Sequence, residues 1–421
     1  MLRSVTYILR ILFVVLLLGT LFSYAMFQGG FVSWFLFYGF LPILIYSFSM
    51  FFFPIKALKI NRALSSTYAS AGSNVQVTIE IKRRLPYPLF YLIIEDELPE
   101  TMDWSDTRHH KYNFLKQPHM LKNRDLNKAV IFPWFKRRIT YTYEVPAVPR
   151  GKHYFRQTYL STGDAFGLVK KKRVYQVPTE IFVEPGEVKM QINQERSTFE
   201  DGQQSAYSVK ANHTTVVSGI RDYAPGDQVS WVDWKTTARK QKLVTKEFEE
   251  EKHKDLTIIF NGIKQSQKDW LAFEATVELT HALLETSIRT HGNVNFVILG
   301  AGREAIELGR NPQVKERVVS LLASIQMVEG SSFYQQLQRE AFHLSKDQNL
   351  IVVSHFLTKE MHDSLLLINQ SNIEVEVYLV SSKELLSTEQ KEWMDRLKRS
   401  GVKLIWLNED NLTKKYIEVN A

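Results

Sequence analysis

One stretch of the chain combines residue types that could perform chemistry. Residues 219–249 hold a Pro-Gly turn, two tryptophans and many charged side chains of both signs. Within this stretch Asp227, followed by Asp233-x-Lys235, imitates the spaced acid and D-x-K pattern of some Mg²⁺-dependent nucleases. In those enzymes carboxylates hold the metal and the lysine stabilises developing charge. One hypothesis is therefore a metal-dependent hydrolase or nuclease, although the stretch supplies no strand followed by the helix that such a core requires.

A structural or docking role is the alternative for the same residues. So many charges are costly to bury unless each has a partner. The Pro225-Gly226 pair is good turn chemistry, and Asp233 could form bidentate bonds with Arg221 or Arg239.

The two tryptophans, Trp231 and Trp234, would then cover one edge of a sheet. This interpretation makes the segment either a buried clasp between two domains or a surface that docks a protein partner.

Other kinds of chemistry find little support in the composition. The 421 residues include no cysteine, which excludes disulfides, thiolate metal sites and a cysteine nucleophile. No Ser/His/Asp order, phosphate-cradling glycine loop or zinc helix motif is present. Residues 103–127 contain His109, His110 and His119, but no acidic partner lies at a helical ligand spacing, so a solvated loop is favoured over a metal site. We therefore expect no catalytic residue, cofactor or metal, and no enzymatic activity.

The N-terminal region predicts a transmembrane helical hairpin over residues 1–60. Two uncharged apolar runs, 11–27 and 31–55, are separated by only Gln28-Gly29-Gly30, and each approaches the roughly 20 residues that span a bilayer. The first 79 residues contain five basic and no acidic residues. Because basic residues flank both ends of the hairpin, the positive-inside rule predicts a multi-pass protein of the cell membrane with its soluble part in the cytoplasm.

The basic excess is concentrated near this hairpin. Residues 103–173 contain sixteen basic and five acidic residues, a net charge of +11. With a membrane anchor in the same chain, contact with anionic lipid is favoured over nucleic acid, which is not an expected partner. The run at residues 170–173 could contact headgroups or be a solvated strand end.

Hydrophobic periodicity divides the remainder of the chain. Residues 68–185 show short alternating segments separated by turn signals, which predict an immunoglobulin-like β-sandwich. Residues 186–218 are polar and are interpreted as a connector or mobile hairpin, and residues 219–254 hold the charged motif. In residues 255–421 strands alternate with helices, which predicts a doubly wound α/β domain with a mostly parallel sheet.

The charged motif also carries a family resemblance. It closely resembles the signature of the bacterial domain-of-unknown-function family 58, and the segments at residues 150–151 and 163–168 are similar to two further family segments, with Ala165 where proline is usual. The residues of the central motif that match, and that could dock a partner, are Arg221, Asp222, Tyr223, Pro225, Gly226, Asp227, Asp233, Trp234, Lys235, Thr237, Ala238 and Arg239.

The resemblance implies an α/β domain similar to the von Willebrand factor A fold, often accompanied by MoxR-type AAA+ ATPases. Such domains bind a divalent cation through D-x-S-x-S after the first strand. Here Asn261, Ile263 and Gln265 stand at those three positions, and Ser354-His355 follows a later strand where Asp is common. The usual metal site is therefore expected to be lost.

These observations together predict a non-enzymatic, membrane-anchored scaffold or adaptor. It would bind a protein partner on the cytoplasmic side, and a MoxR-type AAA+ ATPase is the partner that the resemblance implies.

Overall fold

The computed structural model describes the backbone of most of the chain. The described residues are 2–122, 124, 127–165, 167–186, 189–193, 215–250, 255–290, 293–308, 312–330, 332–344, 348–371, 373–414 and 416–420. Side chains are described for the same residues except 2–8, 189–193, 215–218, 247–250, 267, 289–290, 312 and 416–420.

Two apolar helices, α1 (Leu2–Gln28) and α2 (Phe31–Phe52), form an antiparallel hairpin. Gly29, with φ of 62°, lies at the turn between them, a conformation that glycine adopts without steric cost. The rings of Phe22 and Phe37 pack edge to face, 5.7 Å apart. Both helices are long and apolar enough to cross a membrane, and many of their large side chains are exposed.

Eight strands follow the hairpin. They are β1 (Lys59–Leu64), β2 (Tyr68–Ser70), β3 (Val75–Lys82), β4 (Tyr91–Asp96), β5 (Asn127–Ile131), β6 (Arg138–Val145), β7 (Gly151–Gly163) and β8 (Lys170–Glu184). They form a three-stranded sheet in the order β1-β3-β6 and a five-stranded sheet in the order β2-β8-β7-β4-β5. Alternate side chains of both sheets are buried in one shared core, the arrangement of a β-sandwich.

The polar segment between β4 and β5 differs from the expected solvated loop. It forms three 3₁₀ turns, Glu100–Met102, Arg108–Phe114 and Pro118–Leu121. Tyr112 and Leu115 from this segment are buried in the core of the α/β domain. The expectation of solvation was wrong because these apolar side chains follow neither the helix nor the strand period, so their burial left no periodic signal.

Between the β-sandwich and the α/β domain lie four short elements. They are β9 (Lys189–Asn193), β10 (Thr215–Asp222), α3 (Trp234–Lys240) and β11 (Val244–Glu250). The strands β10 and β11 pair with each other in a separate antiparallel hairpin, and β9 pairs with the C-terminal strand β18 (Tyr416–Asn420). Part of the predicted connector, residues 194–214, lies outside the described residues.

In the described part of the α/β domain there are six strands and six α-helices. They are β12 (Leu256–Asn261), α4 (Trp270–Thr290), β13 (Val294–Leu299), β14 (Arg303–Leu308), α5 (Pro312–Ser324), α6 (Phe333–His343), β15 (Asn349–Ser354), α7 (Lys359–Gln370), β16 (Glu374–Val380), α8 (Thr388–Arg399), β17 (Lys403–Leu407) and α9 (Glu409–Leu412). The sheet order is β14-β13-β12-β15-β16-β17, with β14 alone antiparallel to its neighbour.

Both faces of this sheet are covered by helices, as the sequence predicts. On β12, Ile258 packs with α4 and α5, while the next residue, Ile259, packs on the opposite face with α6, α7 and α8. This is the period-two alternation of a strand buried on both sides. The carboxyl ends of the parallel strands therefore meet at one edge, where ligands of doubly wound domains usually bind.

Candidate functional site

The charged motif is a hairpin with a short helix between its strands. Asp233 begins α3, because its Oδ1 accepts hydrogen bonds from the backbone N–H groups of Lys235 and Thr236, both at 3.1 Å. These bonds lower the pKa of Asp233, and the bond from the Thr236 amide has the largest effect. The N–H of Asp233 donates to the carbonyl of Val244, which attaches the start of α3 to β11. Asp233 is thus a helix cap.

The second carboxylate of the motif is held by arginine. The guanidinium of Arg221 donates to both oxygens of Asp227, at 2.7 and 2.9 Å, and the Ala224 N–H adds a third bond at 3.0 Å. The hydrogen bond from Arg221 is the main reason that the pKa of Asp227 is lowered. Between these residues the chain turns at Gly226, whose φ of 114° favours glycine. The expected pairing of Asp233 with Arg221 or Arg239 was wrong, since Arg221 binds Asp227.

The large apolar side chains of the motif lie on its surface. Trp234 is 62% exposed and Trp231 is 37% exposed, and the neighbouring Val229, Leu243 and Ile220 are also exposed. Neither tryptophan is therefore buried in a core between the two domains. Among the described side chains of the hairpin, Val232 and Val244 are the buried apolar ones.

The remaining motif residues that the sequence singled out share this hairpin. They are Asp222 at the end of β10, Tyr223 and Pro225 in the turn, and Lys235, Thr237, Ala238 and Arg239 in α3. The Thr237 hydroxyl accepts from the Val244 N–H at 3.1 Å, while Lys235, Ala238 and Arg239 are exposed. The structure thus brings the predicted set together, chiefly by local contacts.

A buried ionic cluster joins the two large domains elsewhere. We call it the interdomain clasp: Asp106, Lys111, Tyr112, Arg150, Glu274 and Glu278. The ammonium of Lys111, fully buried, lies 2.6 Å from carboxylate oxygens of both Asp106 and Glu278. Burial by itself would lower the pKa of Lys111, but the two carboxylates outweigh it and raise the pKa above its usual value. The Tyr112 hydroxyl also donates to Glu278.

Arg150 forms the other half of the interdomain clasp. It donates to both oxygens of Glu274, at 2.6 and 2.9 Å, and to the carbonyls of Leu322, Ala323 and Ile325 at the end of α5. A fork of five donors suits this task, and a lysine could not reproduce it. In the sequence the Arg150-Gly151 pair stands out as part of a turn between strands and as a segment similar to the family's. No spacing pattern could have linked residue 150 to residue 274.

At the carboxyl edge of the sheet, neutral groups occupy the positions of the expected lost metal site. The Asn261 amide donates to the Ser354 hydroxyl at 2.9 Å, and its oxygen accepts from the Ile263 N–H. Ile263 itself is buried in the core and forms an isolated bridge with Val328. His355 is buried beside the Phe273 ring, and this burial lowers its pKa to about 3. Among the described residues, no group of three or more His, Asp or Glu could hold a metal ion.

A cavity of about 530 Å³ opens beside this edge, between the two domains. Its lining includes Trp104, Trp270 and the charged residues Arg150, Lys122 and Lys264. Three of the lining cations have partners: Arg150 binds Glu274, Lys122 binds Asp103 at 2.8 Å, and Lys264 binds Glu329 at 3.2 Å. The cavity is therefore a cleft lined by both aromatic and charged side chains.

This exposed hairpin and the doubly wound domain after it coincide with a known family. Residues 219–386 match the family model described as "Protein of unknown function DUF58". Over 318 residues the chain is 33% identical to "Uncharacterized protein YeaD" of Bacillus subtilis (strain 168), covering 75% of this chain and 74% of that protein. The chain belongs to the DUF58 family.

Solved structures add little to this assignment. The chain is similar to the PilB minor pilin from Streptococcus sanguinis with a TM-score of 0.26 and 8% identity, over 77% of this chain and 85% of that one. It matches the CARDB domain of a Pyrococcus furiosus protein, crystallised with di-metal ions, with a TM-score of 0.19 and 7% identity, over 30% and 91% of the two chains. Both TM-scores are too low to indicate a shared fold.

Proposed function

We propose that this protein is a non-enzymatic, membrane-anchored adaptor whose exposed motif docks a protein partner. One observation carries the proposal: residues 219–246 place large apolar side chains on the surface, while the carboxylates of Asp227 and Asp233 accept hydrogen bonds from within the hairpin. Trp234 and Trp231 are of the type that dominates protein interfaces. A MoxR-type AAA+ ATPase is the partner that the family resemblance implies.

The location proposed for this docking is the cytoplasmic face of the cell membrane. Two helices of sufficient length and hydropathy support the anchor, and basic residues at both ends of the hairpin support the cytoplasmic side.

For the α/β domain we propose a von Willebrand factor A-like fold. Its strand order, with one antiparallel strand beside β13, supports this assignment.

The alternative, a metal-dependent hydrolase acting through Asp227, Asp233 and Lys235, is less well supported. Asp227 is engaged by Arg221, and Asp233 caps a helix. To bind a metal, both carboxylates would have to give up these bonds. A Mg²⁺-dependent nicking assay tests the alternative directly; activity that disappears in Asp233→Asn would establish it and contradict the adaptor.

The adaptor proposal is tested by binding of the full chain, in lipid nanodiscs, to a purified MoxR-type ATPase of the same organism. Binding is measured by interferometry with ADP, with ATP and without nucleotide. We expect Trp234→Ala to weaken binding, because an exposed aromatic anchor is removed. Phe342→Ala is the matched control, since Phe342 is an aromatic residue 88% exposed on α6, outside the motif. Absence of binding in every nucleotide state would exclude this partner.

A further inference from the structure

The β-sandwich carries an exposed apolar surface next to the helical hairpin. We call it the aromatic ridge: Leu85, Phe90, Phe132, Trp134 and Phe135, which are between 38% and 64% exposed. The Phe90 ring lies 5.6 Å from Trp134 and 6.3 Å from Phe132, so these three side chains form one continuous patch, and the exposed Leu85 and Phe135 lie near them in the sequence. Isolated exposed apolar residues are common, whereas a continuous patch marks an interaction site.

The ridge is built on two loops that Arg83 holds together. Its buried guanidinium donates to the carbonyls of Tyr87, Trp134 and Lys136. The backbones of Leu89 and Trp134 are also paired by two hydrogen bonds, of 3.0 and 3.1 Å. A rigid support for exposed aromatic side chains suits insertion into another phase, since little ordering is left to occur on binding.

The position of the ridge along α2 sets its depth. Pro42, Ile43 and Tyr46 of α2 line an apolar cavity of about 290 Å³ together with Phe90 and Trp134. Tyr46 lies six residues before Phe52, which corresponds to about 9 Å along the helix, and Pro42 lies about 15 Å from that end. If α2 crosses the bilayer, the ridge beside it lies deeper in the membrane than the C-terminal end of α2.

Several contacts fix the sandwich against α2, so that this depth is not adjustable. The Tyr46 hydroxyl donates to the Pro88 carbonyl at 2.9 Å, and the rings of Phe53 and Tyr87 lie 5.0 Å apart. The ammonium of Lys171 donates to the carbonyls of Phe51 and Phe53, both at 2.7 Å, and so caps the end of α2.

Cations surround the ridge on the loops that carry it. Arg84 lies beside Leu85, and Lys136 and Arg137 follow Phe135; all three side chains belong to exposed residues. Long basic side chains can keep their charge at the headgroup level while their neighbours enter the apolar phase. This combination of aromatic and basic residues fits an anionic membrane surface.

We propose that the aromatic ridge inserts into the cytoplasmic leaflet of an anionic membrane, as a second membrane contact besides the helical hairpin. The inference rests on the proposed anchoring of α1 and α2. Its occupant is lipid, because the patch continues the exposed apolar surface of α2. Insertion holds the β-sandwich at a fixed tilt on the membrane.

Because the chain has no cysteine, single labels can be introduced without background. The full chain carrying Phe135→Cys and a nitroxide label is reconstituted in phosphatidylcholine–phosphatidylglycerol vesicles. Collision rates with oxygen, which dissolves in lipid, and with an aqueous nickel chelate are compared by electron paramagnetic resonance. We expect the oxygen rate to exceed the nickel rate at residue 135. Phe132→Cys, labelled in the same way, provides a second position on the ridge.

Two reference labels separate the proposals. Ile45 is exposed on α2, so a label on Ile45→Cys reports whether that helix is in lipid. Tyr154 is 51% exposed on β7, so a label on Tyr154→Cys reports an aqueous site. If the labels at 132 and 135 are accessible to nickel while the label at 45 is buried in lipid, insertion of the ridge is wrong and anchoring by α2 still holds. A nickel-accessible label at 45 would overturn the anchor, and the ridge with it.

The anionic preference has its own test. In the labelled chain, Lys136→Glu with Arg137→Glu should lower the ratio of oxygen to nickel collisions at residue 135. The change should be smaller in vesicles of phosphatidylcholine alone, because the removed attraction depends on anionic lipid. The chain that keeps Lys136 and Arg137 should give different oxygen-to-nickel ratios in the two kinds of vesicle. Equal ratios would contradict the preference for anionic headgroups.

Discussion

The interdomain clasp and the exposed motif are both rich in opposite charges, yet they differ in burial and in the origin of their partners. Lys111 is fully buried and binds Glu278, which is 167 residues away. Arg221 is partly exposed and binds Asp227, only six residues away. The centre of the interdomain clasp therefore depends on a distant segment, while the ion pair of the motif is made locally. The motif, which the sequence left open as a clasp or a docking surface, is the one whose ion pair lies at the surface.

The largest expected effect comes from the centre of the interdomain clasp. Lys111→Met leaves Asp106 and Glu278 buried without a cation, which should cost about 3–5 kcal/mol of unfolding free energy. Thermal unfolding of the full chain in detergent micelles measures the loss. The matched control is Lys116→Met, which breaks an exposed pair with Glu384 and should cost about 1 kcal/mol or less. Equal losses in the two variants would show that burial does not distinguish the two regions.

The second prediction concerns Arg150. Arg150→Lys keeps the charge but loses the bidentate geometry, and we expect a cost of about 1–3 kcal/mol. Because Glu274 is its partner, Arg150→Lys combined with Glu274→Gln should be less destabilising than the sum of the two single variants. Arg303→Lys is the control, since Arg303 is half exposed in its pair with Glu340. Strict additivity of the Arg150 and Glu274 changes would contradict a direct coupling.

The third prediction is a pH dependence from buried histidines. Burial lowers the pKa of His355 to about 3 and that of His153 to about 4. As the pH falls below the unfolded value of about 6.5, the unfolded chain takes up protons that the folded chain does not bind, so stability falls. For His355 alone this loss is about 2 kcal/mol between pH 7 and pH 5. His355→Phe should reduce the slope of the thermal midpoint against pH; an unchanged slope would contradict the burial of His355.

The smallest effect on global stability is expected in the motif. Asp227→Asn weakens the Arg221 pair but should leave the thermal midpoint of the full chain unchanged, because this pair lies at the surface. The local effect should be faster hydrogen exchange of the Ala224 amide, which donates to Asp227. A drop in midpoint comparable to that of Arg150→Lys would show that the motif is a clasp after all.

The regular elements of the α/β domain were predicted well from the sequence. The alternation of strands and helices predicted for residues 255–421 is present, for example in helix α4 (Trp270–Thr290) and the strand β13 that follows it. In contrast, the edge strand β14 was missed, because most of its side chains are exposed and so carry no clear apolar alternation. The partners of Lys111 and Arg150 were also missed, since they are set by the packing of one domain on the other.

For this protein, the sequence by itself determined the two apolar helices, the alternating strands and helices, and the family that the 219–249 motif signals. These properties depend on local spacing and composition, which a single chain segment already contains. The tertiary structure decided which charges are buried, how Asn261 and Ser354 use their polar groups, and that the aromatic ridge lies beside α2. Each of these depends on contacts between segments far apart in the chain, because desolvation is determined by what packs around a side chain.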